Sequence, residues 1–239
     1  MVPTGPEAVL LACAPESEQR RHRLLFHGIR RGARRERPPS SLAADPAVRS
    51  VTVGPRPGKD AVDPLLAEHP GVRLIVHGDD ADLAAVLVRL LRREALTTEV
   101  GYLPTSRRSA AAAAWGLPRS FADAAALARG GTARPMPLVR DDNGGVLVGR
   151  GVLPDLHGEA YCDSTRVFAG RIPRLVVEAG PDGVVVRGGK GVRATTGRAI
   201  QIGTTGATPV RDGVRYPREI KRWAWYRHTE PWYPVLPRS

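Results

Sequence analysis

The chain has 239 residues, of which 42% are hydrophobic and 25% are charged, a balance typical of folded globular proteins that excludes global disorder. No run approaches about 18 consecutive apolar residues, and the first residues lack the basic region of a signal peptide, so we expect no transmembrane segment. Two cysteines, Cys13 and Cys162, are too few for a disulfide framework or a four-cysteine zinc site. A cytoplasmic location is the simplest expectation.

The charge is strongly basic, with a formal net charge of +12 and a sequence pI near 10.8. Such charge favours polyanionic partners, including nucleic acid, nucleotides and anionic membrane surfaces. Nearly all the basic residues are arginine, however, and only Lys59, Lys190 and Lys221 are lysine. Heavy arginine and alanine usage is typical of high-GC genomes, such as those of actinobacteria, so the charge alone does not identify a polyanionic partner.

The first half alternates strand and helix patterns. Short apolar runs predict strands at 8–13, 48–53, 72–76 and 99–103, and helical spacing predicts helices within 19–37 and at 60–68, 83–94, 109–115 and 121–129. Repeated strand–helix units predict a parallel sheet with helices on both faces. Ligands bind such sheets at the carboxyl ends of the strands, which here are residues 14–17, 77–82 and 104–109.

The second half changes character from about Pro135. Apolar alternation predicts short strands at 145–149, 175–178, 183–187 and 199–202, and no helical pattern intervenes. We therefore predict an α/β fold followed by a β fold: a parallel-sheet domain at 1–134 and an antiparallel β-sandwich at 135–239. Residues from about 221 to 239 are candidates to return to the first domain.

Two segments at strand ends carry a resemblance. Gly78-Asp79-Asp80-Ala81-Asp82-Leu83 follows the third strand, and Pro104 to Pro118 follows the fourth. They resemble, in order and length, the Gly-Gly-Asp-Gly-Thr-Leu and Pro-x-Gly-Thr-Gly-Asn-Asp-x-x-Arg-x-Leu-Gly-Ile-Pro motifs of bacterial diacylglycerol kinase-like lipid kinases, relatives of the NAD kinases. Ala14-Pro15-Glu16-Ser17 and Asp212-Gly213-Val214 resemble the family's Asn-Pro-x-Ser and Asp-Gly-Glu, so the resemblance runs nearly end to end.

The resemblance implies an NAD kinase-like fold and a nucleotide site. The implied nucleotide-binding residues are Gly78, Asp79, Asp80, Ser106, Arg107, Arg108 and Ser109. If the chain is an active kinase, ATP and Mg²⁺ are its cofactors, with Asp80 acting on nucleotide or metal and Asp212 near the substrate. The metal-ligand set itself stays open.

The same loops argue against efficient catalysis. Glycines of the family motifs are replaced by Asp79, Ala81, Ser106 and Arg108, although glycine is what lets backbone N–H groups approach phosphates closely. We therefore favour a pseudoenzyme with weak or absent phosphotransfer that acts as a binding or regulatory protein. The alternatives are an active ATP-dependent lipid kinase and a nucleic-acid-binding protein that uses the basic stretch 20–37.

The aspartates and arginines of the loops have more than one interpretation. Asp79, Asp80 and Asp82 suit a magnesium ion, or Asp82 caps a helix that begins near Leu83 while Asp79 and Asp80 are solvated. The pair 107–108 is suited to hold a phosphate-bearing ligand, to fill the old nucleotide pocket, or to pair with Asp79 and Asp80.

The aromatic stretch at 222–233 has an open interpretation too. Alternation places Trp223 and Trp225 on one face of a strand. We expect a packed aromatic seam that closes the chain onto the first domain, with base stacking as the alternative. An anionic lipid surface with peripheral membrane association is a further candidate partner; the lipid substrate and the oligomeric state stay open.

Overall fold

The parallel half of the fold agrees with the predicted alternation. In the computed structural model, which describes residues 5–13 and 40–238, the first four strands are β1 (Ala8–Cys13), β2 (Val48–Val53), β3 (Arg73–Gly78) and β4 (Glu99–Pro104). The helices are α1 (Ser40–Ala43), α2 (Lys59–Glu68), α3 (Asp80–Arg92), α4 (Ala110–Ala114) and α5 (Phe121–Gly130). The predicted basic helix within 19–37 and the motif at 14–17 lie outside the described residues.

All four strands run parallel, in the order β4-β3-β1-β2. The sheet is covered on both faces, which is why β1 is apolar at nearly every position. Alternate residues such as Leu11 and Val76 face α2, α3 and α4, whereas Leu10 and Ile75 face α1 and α5. Within the described ranges, each helix is too short or too polar to cross a membrane.

Helix α3 begins earlier than predicted. Its N-cap is Asp79, whose carboxylate accepts a hydrogen bond from the Asp82 N–H (3.0 Å), while the Asp82 carboxylate accepts one from the Asp79 N–H (2.9 Å). This reciprocal capping box satisfies two N–H groups of the helix start. The expectation that Asp82 caps a helix beginning near Leu83 is therefore wrong, because Asp79 is the cap and the first turn starts at Asp80.

The second half is antiparallel, as predicted, and no helix follows Gly130 in the described chain. Its strands are β5 (Thr132–Ala133), β6 (Met136–Asp141), β7 (Val146–Leu147), β8 (Arg150–Cys162), β9 (Thr165–Gly180), β10 (Gly183–Val186), β11 (Thr195–Gly197), β12 (Ala199–Ala207), β13 (Val210–Arg211), β14 (Val214–Arg215) and β15 (Ile220–Leu236). They pair in the order β11-β10-β9-β8-β12-β15, and β6 pairs with the other edge of β15. The sheet is so strongly curved that β10 faces β6 and β15, and a single apolar core lies between them.

The long strand β15 joins the two halves. Its first part pairs antiparallel with β12 and β6, and Tyr233 and Pro234 near its end pair parallel with β4. Trp223 and Trp225 are buried in the antiparallel core. The expectation that they close the chain onto the first half is therefore wrong for these two residues. Trp232 alone of the three packs into the parallel-sheet core, 5.3 Å from the ring of Trp115. The domain division at 134/135 stays a prediction.

Candidate active site

A cavity of about 360 Å³ lies where the carboxyl ends of β3 and β4 meet the antiparallel half. We call it the interdomain cavity. Of the residues predicted for the site, it is lined by Asp79, Asp80, Ser106, Arg108, Ser109 and Asp212. Long-range folding thus brings the two loops of the parallel half next to the turn between β13 and β14.

Asp80 is the most heavily bonded residue of this cavity. Its Oδ1 accepts hydrogen bonds from the hydroxyls of Tyr102 (2.8 Å) and Ser109 (2.5 Å). Its Oδ2 accepts from the N–H groups of Ala110 (2.8 Å) and Ala111 (3.2 Å) at the start of α4. The expectation that Asp80 is solvated is therefore wrong: its carboxylate occupies the place where the first turn of a helix would receive an anion.

Tyr102 helps to position the Asp80 carboxylate through the hydrogen bond from its hydroxyl group. It is buried in β4, and burial, followed by the charge of Asp80, raises the pKa of its hydroxyl well above the usual value. The phenol therefore keeps its proton and remains a hydrogen-bond donor to Asp80 at physiological pH.

Asp212 faces Asp80 from the antiparallel half. It sits in the β13–β14 turn with a left-handed φ of 48°, and its carboxylate accepts from the N–H groups of Val148 (3.0 Å), Gly149 (2.8 Å) and Arg150 (2.9 Å). Burial raises its pKa to about 7; the Val148 hydrogen bond opposes that shift, and the charge of Asp80 adds to it. Near neutral pH, Asp212 therefore exists both as acid and as carboxylate.

At Gly149 the two halves of the fold are in close contact beside the site. A Cβ at this position would lie 2.8 Å from the Ala111 nitrogen and 2.9 Å from Asp80 Oδ2. Since real Cβ atoms do not approach so closely, only glycine allows β7–β8 to press against the start of α4. This contact sets the separation of Asp80 and Asp212.

The first loop, residues 78–82, is held in place by hydrogen bonds to the Asp82 carboxylate. Besides its capping role, the Asp82 carboxylate accepts from the Arg56 N–H (2.7 Å), and the residue is fully buried. A Cβ on Gly78 would lie 2.6 Å from Asp82 Oδ2, so Gly78 makes room for this carboxylate. Asp82 is thus turned away from Asp80, and the described residues hold no group of three metal-ligating side chains.

The two loop arginines do not share a cavity. Arg108 lines the interdomain cavity, whereas Arg107 lines a separate cavity of about 310 Å³ beside α4 and α5. Within the described chain, neither guanidinium forms an ion pair with Asp79 or Asp80. That the pair 107–108 holds a phosphate-bearing ligand stays a prediction.

Solved structures with similar architecture include diacylglycerol kinases and an NAD kinase. A diacylglycerol kinase from Bacillus anthracis str. Sterne matches with a TM-score of 0.64 at 11% identity, covering 97% of each chain. A second protein from that strain, provisionally described as a diacylglycerol kinase, gives 0.67 at 12% identity over 99% of both chains. The chain has the diacylglycerol kinase fold.

An NAD kinase from Archaeoglobus fulgidus in complex with ATP shares this fold more distantly, with a TM-score of 0.52 at 10% identity over 95% of this chain and 92% of the other. No protein-family model matches the sequence, and no curated protein gives a significant sequence match. At these identities the likeness establishes the diacylglycerol kinase fold, and the fold predicted from the loop resemblance is confirmed.

Two residues of the site were missed in the sequence. Tyr102 carries a hydroxyl group among the buried residues of β4, two residues before the strand ends, and this was a usable signal. Gly149 gave none, because its role depends on contacts with Asp80 and Ala111 that are distant in sequence.

Proposed function

We propose that this protein is a catalytically weak or inactive relative of the lipid kinases that binds a phosphate-bearing ligand in the interdomain cavity and acts as a binding or regulatory protein. One observation carries the proposal: at the starts of α3 and α4, where the resemblance would place phosphate, the N–H groups of Asp79, Asp82, Ala110, Ala111 and Ala112 already donate to the protein's own side chains.

The start of α4 illustrates this point. The N–H groups of Ala110 and Ala111 donate to Asp80, and that of Ala112 donates to the Ser109 hydroxyl (2.9 Å). At the start of α3, the N–H groups of Asp79 and Asp82 are taken up by the capping box. A nucleotide phosphate in either place would have to displace an aspartate from hydrogen bonds to charged acceptors, which are among the stronger ones in proteins.

The residues present do not fit Mg²⁺–ATP in the position that the resemblance implies. Three carboxyl groups, those of Asp79, Asp80 and Asp212, line the cavity, and phosphate oxygens beside them would meet like charge. Each oxygen of Asp80 already accepts two hydrogen bonds, so Asp80 could ligate a cation only by giving up at least one of them. We therefore derive no transfer step through ATP.

Arg108 supports binding of a smaller anion. It is exposed at the mouth of the cavity and forms no ion pair within the described chain, whereas Arg150 nearby is bonded to Glu178. An unpaired guanidinium can hold a phosphate or sulfate by two parallel hydrogen bonds.

Calorimetry with Mg²⁺–ATP is the first test. We expect no saturable binding in the micromolar range, and no phosphate transfer to diacylglycerol in mixed micelles. Micromolar affinity for Mg²⁺–ATP would overturn the proposal.

Sulfate titrations at pH 6 and pH 8 form the second test, because sulfate does not itself titrate in this range. Binding should be tighter at pH 6, where Asp212 is largely protonated and repels the anion less. Arg108→Ala should abolish this pH-dependent binding, and Arg171→Ala, which removes an exposed arginine on β9, should leave it unchanged.

An active lipid kinase is the second candidate, favoured by one observation. An aspartate with a pKa of about 7 at an interdomain cavity has the proton affinity expected of a general base that accepts a proton from an alcohol. Measurable transfer that is lost in Asp212→Asn would favour this candidate over the first. The nucleic-acid alternative rests on residues 20–37, outside the described structure.

A further inference from the structure

A second cavity, of about 420 Å³, lies on the flank of the molecule, and none of the described residues lines both it and the interdomain cavity. We call it the side cleft. It is bounded by residues 56–59 before and at the start of α2, by the outer face of α3 and by the turn between β6 and β7. Its volume is in the range of small-ligand sites.

The side cleft combines an apolar floor with a basic rim. The floor consists of Ala81, Ala84, Ala85, Val88, Val146 and Val214, and the rim of Arg56, Lys59, Arg89, Arg92 and Arg211. None of the described residues that line it is acidic. Such a surface suits a ligand with an anionic group and an apolar body.

Three of the five rim cations form no ion pair with any residue that the structure describes. Arg89 is bonded to Asp63 through two hydrogen bonds (2.9 and 2.8 Å), and Arg211 is paired with Asp141. Arg56, Lys59 and Arg92 form no ion pair within the described chain. Asp63 lies close enough to Lys59 for their charges to interact, but the rim as a whole keeps an excess of positive charge, which favours a multiply charged anion.

Backbone donors face the same place. Helix α2 has ten residues, and its N-cap is Gly58, which offers no side chain to cap the first turn. Asp60 in the first turn offsets part of the positive end of the helix dipole, so the helix start adds only a modest attraction for an anion. Lys59 and Arg56 flank this helix start, so backbone and side-chain positive charge coincide.

The opposite wall is fixed by a buried acid. Asp141 is fully buried, and its carboxylate accepts from the N–H groups of Asn143 (3.0 Å) and Gly145 (2.8 Å) as well as from Arg211. A side chain on Gly145 would overlap the Arg211 guanidinium, so glycine lets Arg211 pack against the turn. This wall is preorganised rather than assembled on binding.

The charge pattern also fixes where the anion lies. A smaller cavity of about 250 Å³ separates the side cleft from the interdomain cavity, and Asp79, Asp82 and Asp212 line it. An anion moving inward would approach these carboxyl groups, so the basic outer rim is the place that favours it.

We propose that the side cleft binds a phosphate monoester with an apolar body, the phosphate lying among Arg56, Lys59 and Arg92 and the apolar part against α3. This site does not depend on the function proposed for the interdomain cavity. A phospholipid headgroup and a free phosphorylated metabolite share the required chemistry.

Calorimetry at low salt with hexyl phosphate and methyl phosphate tests the two parts of the site. We expect hexyl phosphate to bind at least about tenfold more tightly, because its chain covers the apolar floor. Arg56→Ala with Arg92→Ala should weaken hexyl phosphate binding by about tenfold or more. The matched control, Arg171→Ala with Arg174→Ala, removes two exposed arginines from β9 and should change nothing.

A second pair of variants keeps the test independent of the arginines. Ala85→Glu and Ala85→Gln place side chains of equal size on the half-buried floor position of α3, and only the first adds negative charge. Hexyl phosphate should bind the glutamate variant about tenfold more weakly than the glutamine variant, with unchanged thermal midpoints for both.

Three further outcomes decide the assignment. These titrations use the Arg108→Ala background, so that the interdomain cavity does not contribute. Saturable hexyl phosphate binding that remains there and is lost when Arg56 and Arg92 are also replaced supports the side cleft; loss of all binding in Arg108→Ala alone assigns the ligand to the interdomain cavity and overturns this proposal. Sedimentation with phosphatidylcholine vesicles that contain phosphatidic acid, but not with vesicles lacking it, supports a lipid source when Arg56 and Arg92 are required. If wild-type protein binds neither probe at low salt, the proposal is wrong.

Discussion

At the scale of single residues, the interdomain cavity contains two aspartates, Asp80 and Asp212, that differ in their hydrogen-bond donors. Asp80 is surrounded by four donors, two of them hydroxyls, whereas Asp212 has three backbone donors and a pKa raised to about 7 by burial. Asp212 is therefore the group of this site whose charge changes near neutral pH.

The stability of the fold should depend on the protonation of Asp212. Its pKa rises on folding from 3.8 to about 7, so at pH 5 the folded chain holds a proton that the unfolded chain has released. The resulting stabilisation is complete below the unfolded pKa and is lost as the pH rises through about 7.

Comparing Asp212→Asn with wild type isolates this effect, because other titrating groups are common to both. Between pH 5 and pH 8, the wild type should lose at least about 1.4 kcal/mol of unfolding free energy relative to the variant, the equivalent of one pKa unit. Urea denaturation measures this difference. The control is Asp155→Asn, an exposed aspartate with a similar left-handed φ of 46°; parallel pH curves for Asp212→Asn and wild type would contradict the prediction.

Asp80 should be required for stability irrespective of catalysis. Asp80→Ala leaves the hydroxyls of Tyr102 and Ser109 and two N–H groups of α4 without their acceptor, which should lower the unfolding free energy by about 2–4 kcal/mol. Asp60→Ala, which removes an exposed aspartate from the first turn of α2, should have an effect below about 1 kcal/mol. An unchanged denaturation midpoint in Asp80→Ala would show that these bonds contribute nothing.

At the scale of elements, strand β15 serves two cores. Trp223 and Trp225 pack edge to face at 5.8 Å in the antiparallel core, and Trp232 packs in the parallel-sheet core. One strand of 17 residues therefore provides large aromatic side chains to both halves of the molecule.

Replacing the Trp232 side chain tests the contact with the parallel half. Trp232→Ala should lower the unfolding free energy by about 3–5 kcal/mol, since it leaves a cavity beside Trp115. Thr229→Ala, at an exposed position of the same strand, should change it by less than about 0.5 kcal/mol. Thermal denaturation followed by circular dichroism measures both; equal midpoints would refute the packing role of Trp232.

At the scale of the whole molecule, the two halves are one hydrogen-bonded sheet. The order β8-β12-β15-β4-β3-β1-β2 runs from antiparallel to parallel pairing without a break, so removal of β15 exposes an edge on each side. Backbone groups along both new edges would lose their partners.

Truncation after Ile220 should therefore abolish cooperative unfolding of the whole chain, because both cores lose tryptophans and the parallel and antiparallel parts of the sheet both lose a strand. Calorimetry should show no sharp transition, whereas truncation after Leu236, which keeps β15, should unfold at the wild-type midpoint. A cooperative transition at an unchanged midpoint in the shorter chain would refute the coupling.

The parallel half could be predicted closely because its strands are continuous apolar runs and its helices carry regular stripes and end signals. The long strands β8, β9 and β15 could not be predicted in full. Glycine and proline in β8 look like chain breakers in sequence, but Gly158, with a φ of 157°, lies where a Cβ would be 2.0 Å from the Gly203 oxygen. There, glycine allows close strand approach instead of ending the strand.

The candidate site, like the fold, could be predicted from the sequence only in part. Asp80 and Asp212 could be selected by their place after predicted strands, but the four donors to Asp80 come from residues 102 to 111. The separation of Arg107 from Arg108 into two cavities depends on how one short loop turns. Spacing in a sequence carries no information about either of these arrangements.

The position of β15 in chain order has a consequence for how the protein is made. Every strand with which it pairs precedes it, so during translation β4 and β12 leave the ribosome with one edge open. Until β15 emerges, nascent chains on neighbouring ribosomes can pair through these edges. We expect this interval to be the one in which the newborn chain most needs a chaperone.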